Sequence, residues 1–322
     1  MRDGGRSGGC EGENPGGSHD MRRMDGFLVV DKATGLSSYD VIRRLKRLCR
    51  FKKIGYVGTL DKNATGILPI AINEGVKLIP FLEDEVKVYS ARFLVGVKTD
   101  TYDIRGNVVE KMDVEPLERE RIEAHLRSFE GRIRQKIPPF SAKKIEGRPL
   151  YRWAREGKMI ELLKEVEIYE IKLIDYSHPF VDVEVSCSKG TYVRSLAHEF
   201  GLSLGVGATL YALRRLRHGH FAEDKAIPLE RINSEEDIAS AILPLEEVLP
   251  SLKKVRVEKN IERFIRHGMP YPLYGSKADW RDRELVKFLD REGLLIGIGE
   301  VDLKSNTMKV RRLINRDHLE GQ

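Results

Sequence analysis

The chain is poor in cysteine and has no long hydrophobic run. Its three cysteines, Cys10, Cys49 and Cys187, are scattered and form no C-x-x-C pair, which argues against a disulfide framework and a cysteine-based zinc site. Unpaired cysteines are typical of a reducing compartment, so a cytoplasmic localisation is expected. No stretch of about 18 apolar residues is present, and no membrane span is predicted.

The chain also lacks the motifs that hold common cofactors. It contains no P-loop, no glycine-rich dinucleotide fingerprint and no metal-ligand cluster, so neither a cofactor nor a metal is expected. The first 23 residues are rich in Gly, Ser and charge and lack the apolar region of a secretory signal. Residues 1–24 are therefore interpreted as a disordered tail or a segment added for expression.

Positive charge is in excess, and it is clustered. The net charge is +6 over 322 residues. This value fits an anionic partner as well as an ordinary cationic surface, and the distribution of the charges along the chain distinguishes the two. Basic stretches lie at 43–53, 132–158 and 214–217. The second holds nine Lys and Arg against two Glu.

Aromatic residues are interleaved with the charges of the segment 132–158, namely Phe140, Tyr151 and Trp153. Cations neutralise phosphates and aromatic rings stack on bases. The combination favours RNA with unpaired bases over plain duplex, and a solvated, charged hairpin is the alternative.

Hydrophobic periodicity predicts an α+β chain. Alternating apolar residues predict strands at 86–96 and 181–187, and helical spacing predicts a helix at 117–129. A capping box at 37–40 is expected to open another helix, and Gly201 to close one that starts near Thr191. A Pro-containing linker around 244–253 is followed by a predicted small β-rich domain. Its strands are expected near 254–258, 284–289, 294–301 and 309–314, and its one helix near 260–267.

Two segments suggest chemistry. Asp61 lies between two glycine turns in the run 58–66 (GTLDKNATG); glycines allow another backbone or a ligand to approach closely, although an Asp in such a loop commonly just forms a turn. Arg194 falls in the first turn of a predicted helix, where a cation is unfavourable without an acidic partner. It is a candidate to bind a carboxylate or a phosphate, and an ordinary surface arginine is the alternative.

Four segments, taken in order, resemble the TruB family of bacterial tRNA pseudouridine-55 synthases. They are 55–61 (GYVGTLD) with 64–66 (ATG), 137–144 (IPPFSAKK) with Gly147 and 150–151 (LY), 187–196 (CSKGTYVRSL), and 213–215 (LRR). The segments 29–32 (VVDK) and 243–245 (LPL) also fit. Several matching segments at family-like spacing make a chance resemblance remote.

The resemblance implies a two-domain α+β protein. A catalytic domain at 25–249 would have the pseudouridine-synthase fold, a mixed, mostly antiparallel sheet with flanking helices. Residues 131–158 would be an insertion that grips RNA. Residues 250–317 would form a small β-rich, PUA-like RNA-binding domain.

The resemblance also implies roles for individual residues. Asp61 matches the catalytic nucleophile, Arg194 the arginine that pairs with it, and Tyr89 the tyrosine that stacks on the target base, with proton transfer as a second candidate role. The substrate-binding residues would be Lys32, Tyr56, Tyr192, Leu213, Lys143, Lys144, Arg214 and Arg215.

The chain departs from the family pattern at a few positions. Tyr56 stands where the family usually has His, Ala33 and Lys62 replace usual prolines, and Phe140 replaces a usual Tyr. These changes leave the nucleophile segment intact. They affect the expected RNA contacts and the rigidity of the loops.

The function implied by the resemblance is the isomerisation of uridine to pseudouridine at position 55 in the T-loop of tRNA. The base would be flipped out of the RNA and the reaction would need no cofactor. Asp61 would act as an ionised carboxylate in a pocket that excludes water. The expected partner is the tRNA T-arm, and the protein is expected to be a monomer without an obligate protein partner.

Three other functions remain open from the residues. One is an RNA-binding protein without catalysis, and another is a guide-RNA-dependent archaeal or eukaryotic relative. The third is a carboxylate glycosidase, which normally needs two carboxylates around the scissile bond; Glu199, three residues after the third segment, is the candidate for a second acid.

Overall fold

The computed structural model describes residues 24–158, 160–273 and 277–315. The predicted tail therefore lies outside the described residues, apart from Met24, and so do the last two residues of the predicted segment 250–317.

Runs of strands are interrupted by single helices along the described chain, which is an α+β order. The strands are β1 (Gly26–Lys32), β2 (Ile54–Tyr56), β3 (Thr65–Ile72), β4 (Lys87–Val95), β5 (Val97–Thr99), β6 (Val108–Lys111), β7 (Gly131–Lys136), β8 (Lys144–Ile145), β9 (Arg148–Pro149), β10 (Leu163–Ser177), β11 (Phe180–Cys187), β12 (Ala208–His218), β13 (Phe221–Ala222), β14 (Ile227–Pro228), β15 (Leu243–Pro244), β16 (Lys253–Arg256), β17 (Tyr271–Pro272), β18 (Leu285–Leu289), β19 (Leu295–Asp302) and β20 (Thr307–Leu313). The helices are α1 (Ser38–Leu48), α2 (Ile79–Leu82), α3 (Arg119–Arg127), α4 (Leu150–Arg155), α5 (Val193–Ser203), α6 (Glu235–Ala241) and α7 (Lys259–Arg266).

A large mixed sheet forms the body of the protein. Its order is β14-β1-β3-β12-β4-β11-β10-β7, and β2, β13 and β15 pair with β3, β12 and β1. The pairs β1–β14 and β3–β12 are parallel, and the others are antiparallel. The expected mixed, mostly antiparallel sheet is confirmed. Because β12 lies between β3 and β4, it brings the loop before β3 beside the middle of β4.

The alternation along β4 is also as predicted. Tyr89, Ala91, Phe93 and Val95 are buried on one face, where the Phe93 ring packs 5.7 Å from that of Phe200 on α5. Successive side chains of a strand point to opposite faces, so burial of this set fixes the register of β4 in the sheet.

Helix α1 begins with the predicted capping box. The Ser37 side chain accepts a hydrogen bond from the Asp40 backbone N–H, and the Asp40 carboxylate accepts one from the Ser37 backbone N–H. Its first residue, Ser38, accepts a hydrogen bond from the Leu60 backbone N–H at 2.9 Å. The start of α1 is thereby attached to the loop that carries Asp61.

The prediction that Gly201 ends α5 is wrong. The helix continues to Ser203, and Gly205, with φ +77°, follows the C-cap Leu204. Gly201 lies inside the helix because β12 passes very close: a Cβ there would lie 1.9 Å from the Ala208 backbone nitrogen.

A second sheet, in the order β16-β18-β19-β20-β17, follows in the chain. The predicted linker before it is not an open segment. Residues Leu243–Pro244 pair with β1, and Leu245 and Leu249 are buried in an apolar cluster that contains Phe27 of the first sheet and Ile298 of the second. The segment therefore fills the contact between the two sheets.

Across the residues that the structure describes, no helix combines the length and the apolar character needed to cross a membrane.

Candidate active site

A cleft of about 420 Å³ opens at the centre of the large sheet. It gathers parts of all four sequence segments, together with β4. Its lining residues are Gly58, Thr59, Asp61, Glu83, Lys87, Tyr89, Phe140, Ser141, Ala142, Lys164, Lys189, Gly190, Thr191, Tyr192, Val193, Arg194, Leu213 and Arg215.

The Asp61 loop is shaped by two glycines that no other residue can replace without a shift in the structure. Gly58 and Gly66 have φ values of +65° and +96°, which favour glycine. A Cβ on Gly58 would lie 3.0 Å from Cε1 of His218, and one on Gly66 would lie 2.3 Å from the Arg215 carbonyl oxygen. The loop is therefore packed directly onto β12.

The Asp61 side chain lies at the mouth of the cleft and is 49% exposed. The structure does not show the predicted water-excluding pocket around this carboxylate. The carboxylate is open to an incoming substrate and to solvent.

Arg194 is the main counter-charge in the cleft. Its side chain is only 8% exposed, and its Nε lies 2.9 Å from Oδ2 of Asp61. This contact is an ion pair without good hydrogen-bond direction, because the Nε–H is not aimed at the oxygen. The guanidinium also donates to the Thr101 carbonyl at 3.2 Å and lies 3.5 Å from Oδ2 of Asp103.

Asp103 is a site residue that the sequence did not reveal. Its side chain is 16% exposed, and its Oδ1 accepts hydrogen bonds from the Arg105 backbone N–H and the Thr101 hydroxyl. A second Asp in a turn-rich segment was the only local signal, and Arg194 lies about ninety residues further along the chain.

Tyr89 lies on the floor of the cleft and is nearly buried. Burial raises the pKa of its phenol to about 12, and the neighbouring Arg215 only partly opposes this shift. The phenol therefore keeps its proton at neutral pH. Its side chain can stack or donate a hydrogen bond.

Lys32 lies beneath the Asp61 loop and not in the cleft lining. It is fully buried, and its ammonium donates to the carbonyls of Leu36 and Ala64, at 2.8 and 2.5 Å. Burial lowers its pKa to about 8, and the Asp61 charge opposes this shift. Lys32 thus joins the loop after β1 to the loop before β3.

Arg214 and Arg215, predicted to grip phosphates, both contact other groups of the protein, and they differ in burial: the Arg214 side chain is 37% exposed. Arg215 is fully buried and donates to the carbonyls of Ile67 and Gly58. Arg214 forms ion pairs with Asp31 and Glu223. In the stretch 214–217 the exposed cation is Arg217.

The other predicted substrate-binding residues divide between the cleft and its surroundings. Tyr192 and Leu213 line the cleft, and burial raises the pKa of the Tyr192 phenol. Tyr56 packs on the apolar core instead. Lys143 and Lys144 are exposed beside the lining residues 140–142.

Lys87, which lines the cleft, is a second site residue that the sequence did not reveal. It is buried, and its ammonium donates to the carbonyls of Glu83 and Glu85. Burial lowers its pKa to about 8. The sequence signal for Lys87 is its position two residues before Tyr89, which places it on the same buried face of β4.

Within the described residues, no group of three or more His, Cys, Asp and Glu side chains is placed to hold a metal ion.

Family comparisons agree with this geometry. Residues 46–193 match the model of the N-terminal domain of TruB family pseudouridylate synthases, and residues 194–250 match that of the tRNA pseudouridylate synthase B C-terminal domain. The chain belongs to the TruB family. The resemblance carried by the four sequence segments is confirmed.

Curated relatives extend along most of the chain. A tRNA pseudouridine synthase B from Geobacter sulfurreducens is 42% identical, over 77% of this chain and 83% of the relative. Proteins with the same name from Clostridium tetani and Syntrophus aciditrophicus are 38% and 37% identical, over 86% and 89% of this chain. These relatives thus match this chain over most of its length.

Solved structures show the same fold. A chain in a Cbf5-Nop10-Gar1 complex superposes with a TM-score of 0.70 at 25% identity, and covers 92% of this chain. A chain of an H/ACA RNP bound to a substrate RNA containing 2'-deoxyuridine also has a TM-score of 0.70, at 23% identity. The predicted pseudouridine-synthase fold is confirmed.

Proposed function

We propose that this chain converts uridine to pseudouridine in tRNA, at position 55 of the T-loop. The names of its TruB family relatives support the reaction and the tRNA substrate. The observation that carries the residue assignment is the ion pair between the half-exposed Asp61 and the nearly buried Arg194 in the cleft.

The reaction breaks the bond from C1′ of the ribose to N1 of uracil, forms a bond from C1′ to C5, and moves one proton, net, from C5 to N1. Asp61 is proposed as the nucleophile. Attack on the sugar, attack on the ring and assisted elimination all need an ionised carboxylate in a fixed position. Arg194 favours the ionised form and fixes one oxygen at 2.9 Å from its Nε.

The target base must leave its stack to reach Asp61, which costs a few kcal/mol. Tyr89 is proposed to receive the flipped base, because its ring lies on the cleft floor. Its high pKa favours stacking or hydrogen-bond donation over action as a phenolate base. Tyr192 and Leu213 would enclose the base from the sides of the cleft.

The exposed basic hairpin beside the cleft is proposed to grip the RNA backbone. It comprises residues 137–158, because 131–136 belong to the large sheet. The Arg148 guanidinium lies 4.4 Å from the Trp153 ring and that of Arg155 5.4 Å from the Tyr151 ring. Lys143 and Lys144 project from the same hairpin.

We propose residues 25–249 as the catalytic domain and 250–317 as a PUA-type RNA-binding domain. The start of the second sheet at Lys253 supports this division. The protein would act as a monomer in the cytoplasm, without an obligate protein partner, and would recognise the T-arm. The free Cys49 and Cys187 thiols support a reducing compartment.

A guide-dependent enzyme is the second candidate, favoured by the fold likeness to H/ACA proteins. Against it stands the higher identity to the TruB relatives, 42% and 38%, compared with 23% and 25% for the H/ACA chains. The third candidate, an RNA-binding protein without catalysis, predicts RNA binding without any conversion of uridine.

The test is pseudouridine formation in an unmodified tRNA transcript by the purified protein alone, mapped to the nucleotide. The wild type should modify one T-loop uridine with many turnovers. Asp61→Asn should abolish conversion and retain RNA binding, whereas Asp113→Asn, at an exposed site, should leave both unchanged. RNA binding without conversion by the wild type would refute the stand-alone enzyme.

A further inference from the structure

Besides Asp61, the Arg194 guanidinium contacts one short loop, residues 99–107, which we call the Asp103 loop. The loop contributes two groups to the guanidinium, the Thr101 carbonyl and the Asp103 carboxylate. These two residues flank Tyr102. The conformation of Tyr102 therefore determines whether both groups reach Arg194.

Tyr102 has a left-handed backbone conformation, with φ +64°. Aromatic residues rarely adopt this region, because their Cβ crowds the backbone, and such strain persists only where the surroundings enforce it. Backbone contacts enforce part of it: the Tyr102 carbonyl accepts from the Leu210 N–H, and the Ile104 N–H donates to the Leu210 carbonyl.

The Tyr102 side chain makes a second contact, with α5. Its ring stacks on that of His198 with 3.9 Å between centroids and 9° between planes. His198 lies four residues after Arg194, so both side chains emerge from the same side of the helix. The Asp103 loop thus contacts α5 at two points one helical turn apart.

His198 has features of a packed ring and not of a titrating group. Burial lowers its pKa to about 4, so the ring is neutral at neutral pH. Its Nδ1 is buried and has no hydrogen-bond partner among the described residues. Its main contact with the Asp103 loop is therefore the ring face.

We propose that the stack of Tyr102 on His198 positions the catalytic arginine. It holds Tyr102 in its left-handed conformation, and the loop then presents the Thr101 carbonyl and Asp103 to Arg194. The Arg194 Nε atom thereby stays 2.9 Å from Oδ2 of Asp61, within ion-pair distance. Tyr102 and His198 are positioning residues, and neither lines the cleft. The turnover part of this inference rests on the proposed function.

The test compares His198→Ala, which removes the stack, with His198→Phe, which keeps an aromatic face without ring nitrogens. His198→Ala should lower kcat on the tRNA transcript about five- to tenfold, with KM unchanged; this loss lies in the upper part of the range expected for one aromatic pair. His198→Phe should restore kcat to within about twofold of the wild type. Leu202→Ala, on the same helix and 46% exposed, should behave as the wild type.

A second readout separates this inference from the proposed function. Backbone hydrogen exchange at 99–104 should quicken in His198→Ala and return to the wild-type rate in His198→Phe. If the wild type makes no pseudouridine, the proposed function fails, but the exchange comparison still decides whether the stack orders the loop.

Tyr102→Asn provides an independent variant, because Asn tolerates the left-handed conformation without a ring. It should match the kcat loss of His198→Ala, and the double variant should be no slower than either single one, since both remove the same contact. Additive losses, unchanged exchange in His198→Ala, or failure of His198→Phe to restore the loop would each overturn the proposal.

Discussion

Three charged side chains lie at the centre of the site, and their exposure to solvent increases from Arg194 to Asp103 to Asp61. Arg194 is nearly buried, Asp103 is largely buried and Asp61 is half exposed. A buried cation needs compensation by a counter-charge and hydrogen bonds, and Asp103 with the Thr101 carbonyl supplies much of it. Asp61 can therefore engage a substrate without leaving Arg194 wholly uncompensated.

His218 packs against Gly58 of the Asp61 loop. It makes the free energy of unfolding of the protein depend on pH. Burial, with the nearby charges of Arg215 and Lys87, lowers its folded-state pKa to about 2. The unfolded chain, with a His pKa near 6.5, binds a proton in the range where the folded protein does not. Stability is therefore complete above pH 6.5 and falls as the pH drops below it.

We expect this histidine to remove about 1.4 kcal/mol from the free energy of unfolding between pH 7.5 and 5.5. Urea denaturation at the two pH values measures the loss. His218→Gln, which does not titrate, should show a smaller loss by that amount, whatever its stability at pH 7.5. Equal losses in the two proteins would contradict the assignment.

Among the loops and strands, the packing of the Asp61 loop depends on residues outside it. Gly58 and Gly66 let it lie on β12, Ser38 of α1 binds Leu60 on one side, and Lys32 binds Ala64 on the other. The loop is thus anchored to three separate elements. These contacts restrict the movement of the loop and thereby fix the position of Asp61.

Lys32→Met tests the contribution of the buried ammonium. The thioether fills similar space but leaves the Leu36 and Ala64 carbonyls without their donor, at about 1–3 kcal/mol for a buried unpaired group. We expect a comparable loss of unfolding free energy, and a lower kcat from the loosened loop.

Thermal or urea denaturation and turnover on the transcript check this prediction. Lys46→Met is the matched control, because Lys46 is exposed on α1. A Lys32→Met protein as stable and as active as this control would show that the carbonyls do not need the lysine.

Across the protein as a whole, cationic side chains are divided between structural and surface roles. Lys32, Lys87 and Arg215 are buried, so they contribute to the net charge without lying on the outer surface of the protein. Lys143 and Lys144 are exposed on the hairpin beside the cleft. Only such exposed cations can release counterions from RNA on binding.

Replacement of Lys143 and Lys144 by Ala should weaken tRNA binding and flatten its salt dependence. Each phosphate contact removed should reduce the slope of log K against log salt by about one. Binding titrations at several salt concentrations measure the slope. Lys172→Ala, at an exposed lysine paired with Glu170, should leave it unchanged, and an unaltered slope in the hairpin variant would exclude these lysines from the interface.

Local patterns in the chain predicted local structure well. The capping box at 37–40, the alternation along β4 and the glycine-bounded Asp61 loop all occur as expected, because each depends on residues close in sequence. The family could be identified for the same reason, since its segments are short and contiguous. The prediction that Gly201 ends α5 was wrong because glycine occurs both at helix ends and at close contacts between backbones. Local sequence does not distinguish the two cases.

Burial and charge pairing were set by contacts between distant segments. Arg215 and Lys32 look like surface cations in the sequence, yet the sheet order encloses both. Asp103 and His198 lie in segments with no distinctive pattern, and they meet Arg194 and Tyr102 only because β12 and α5 pack against the loop at 99–107. The free energy of a buried charge depends on which groups surround it, and that is decided only when the chain folds.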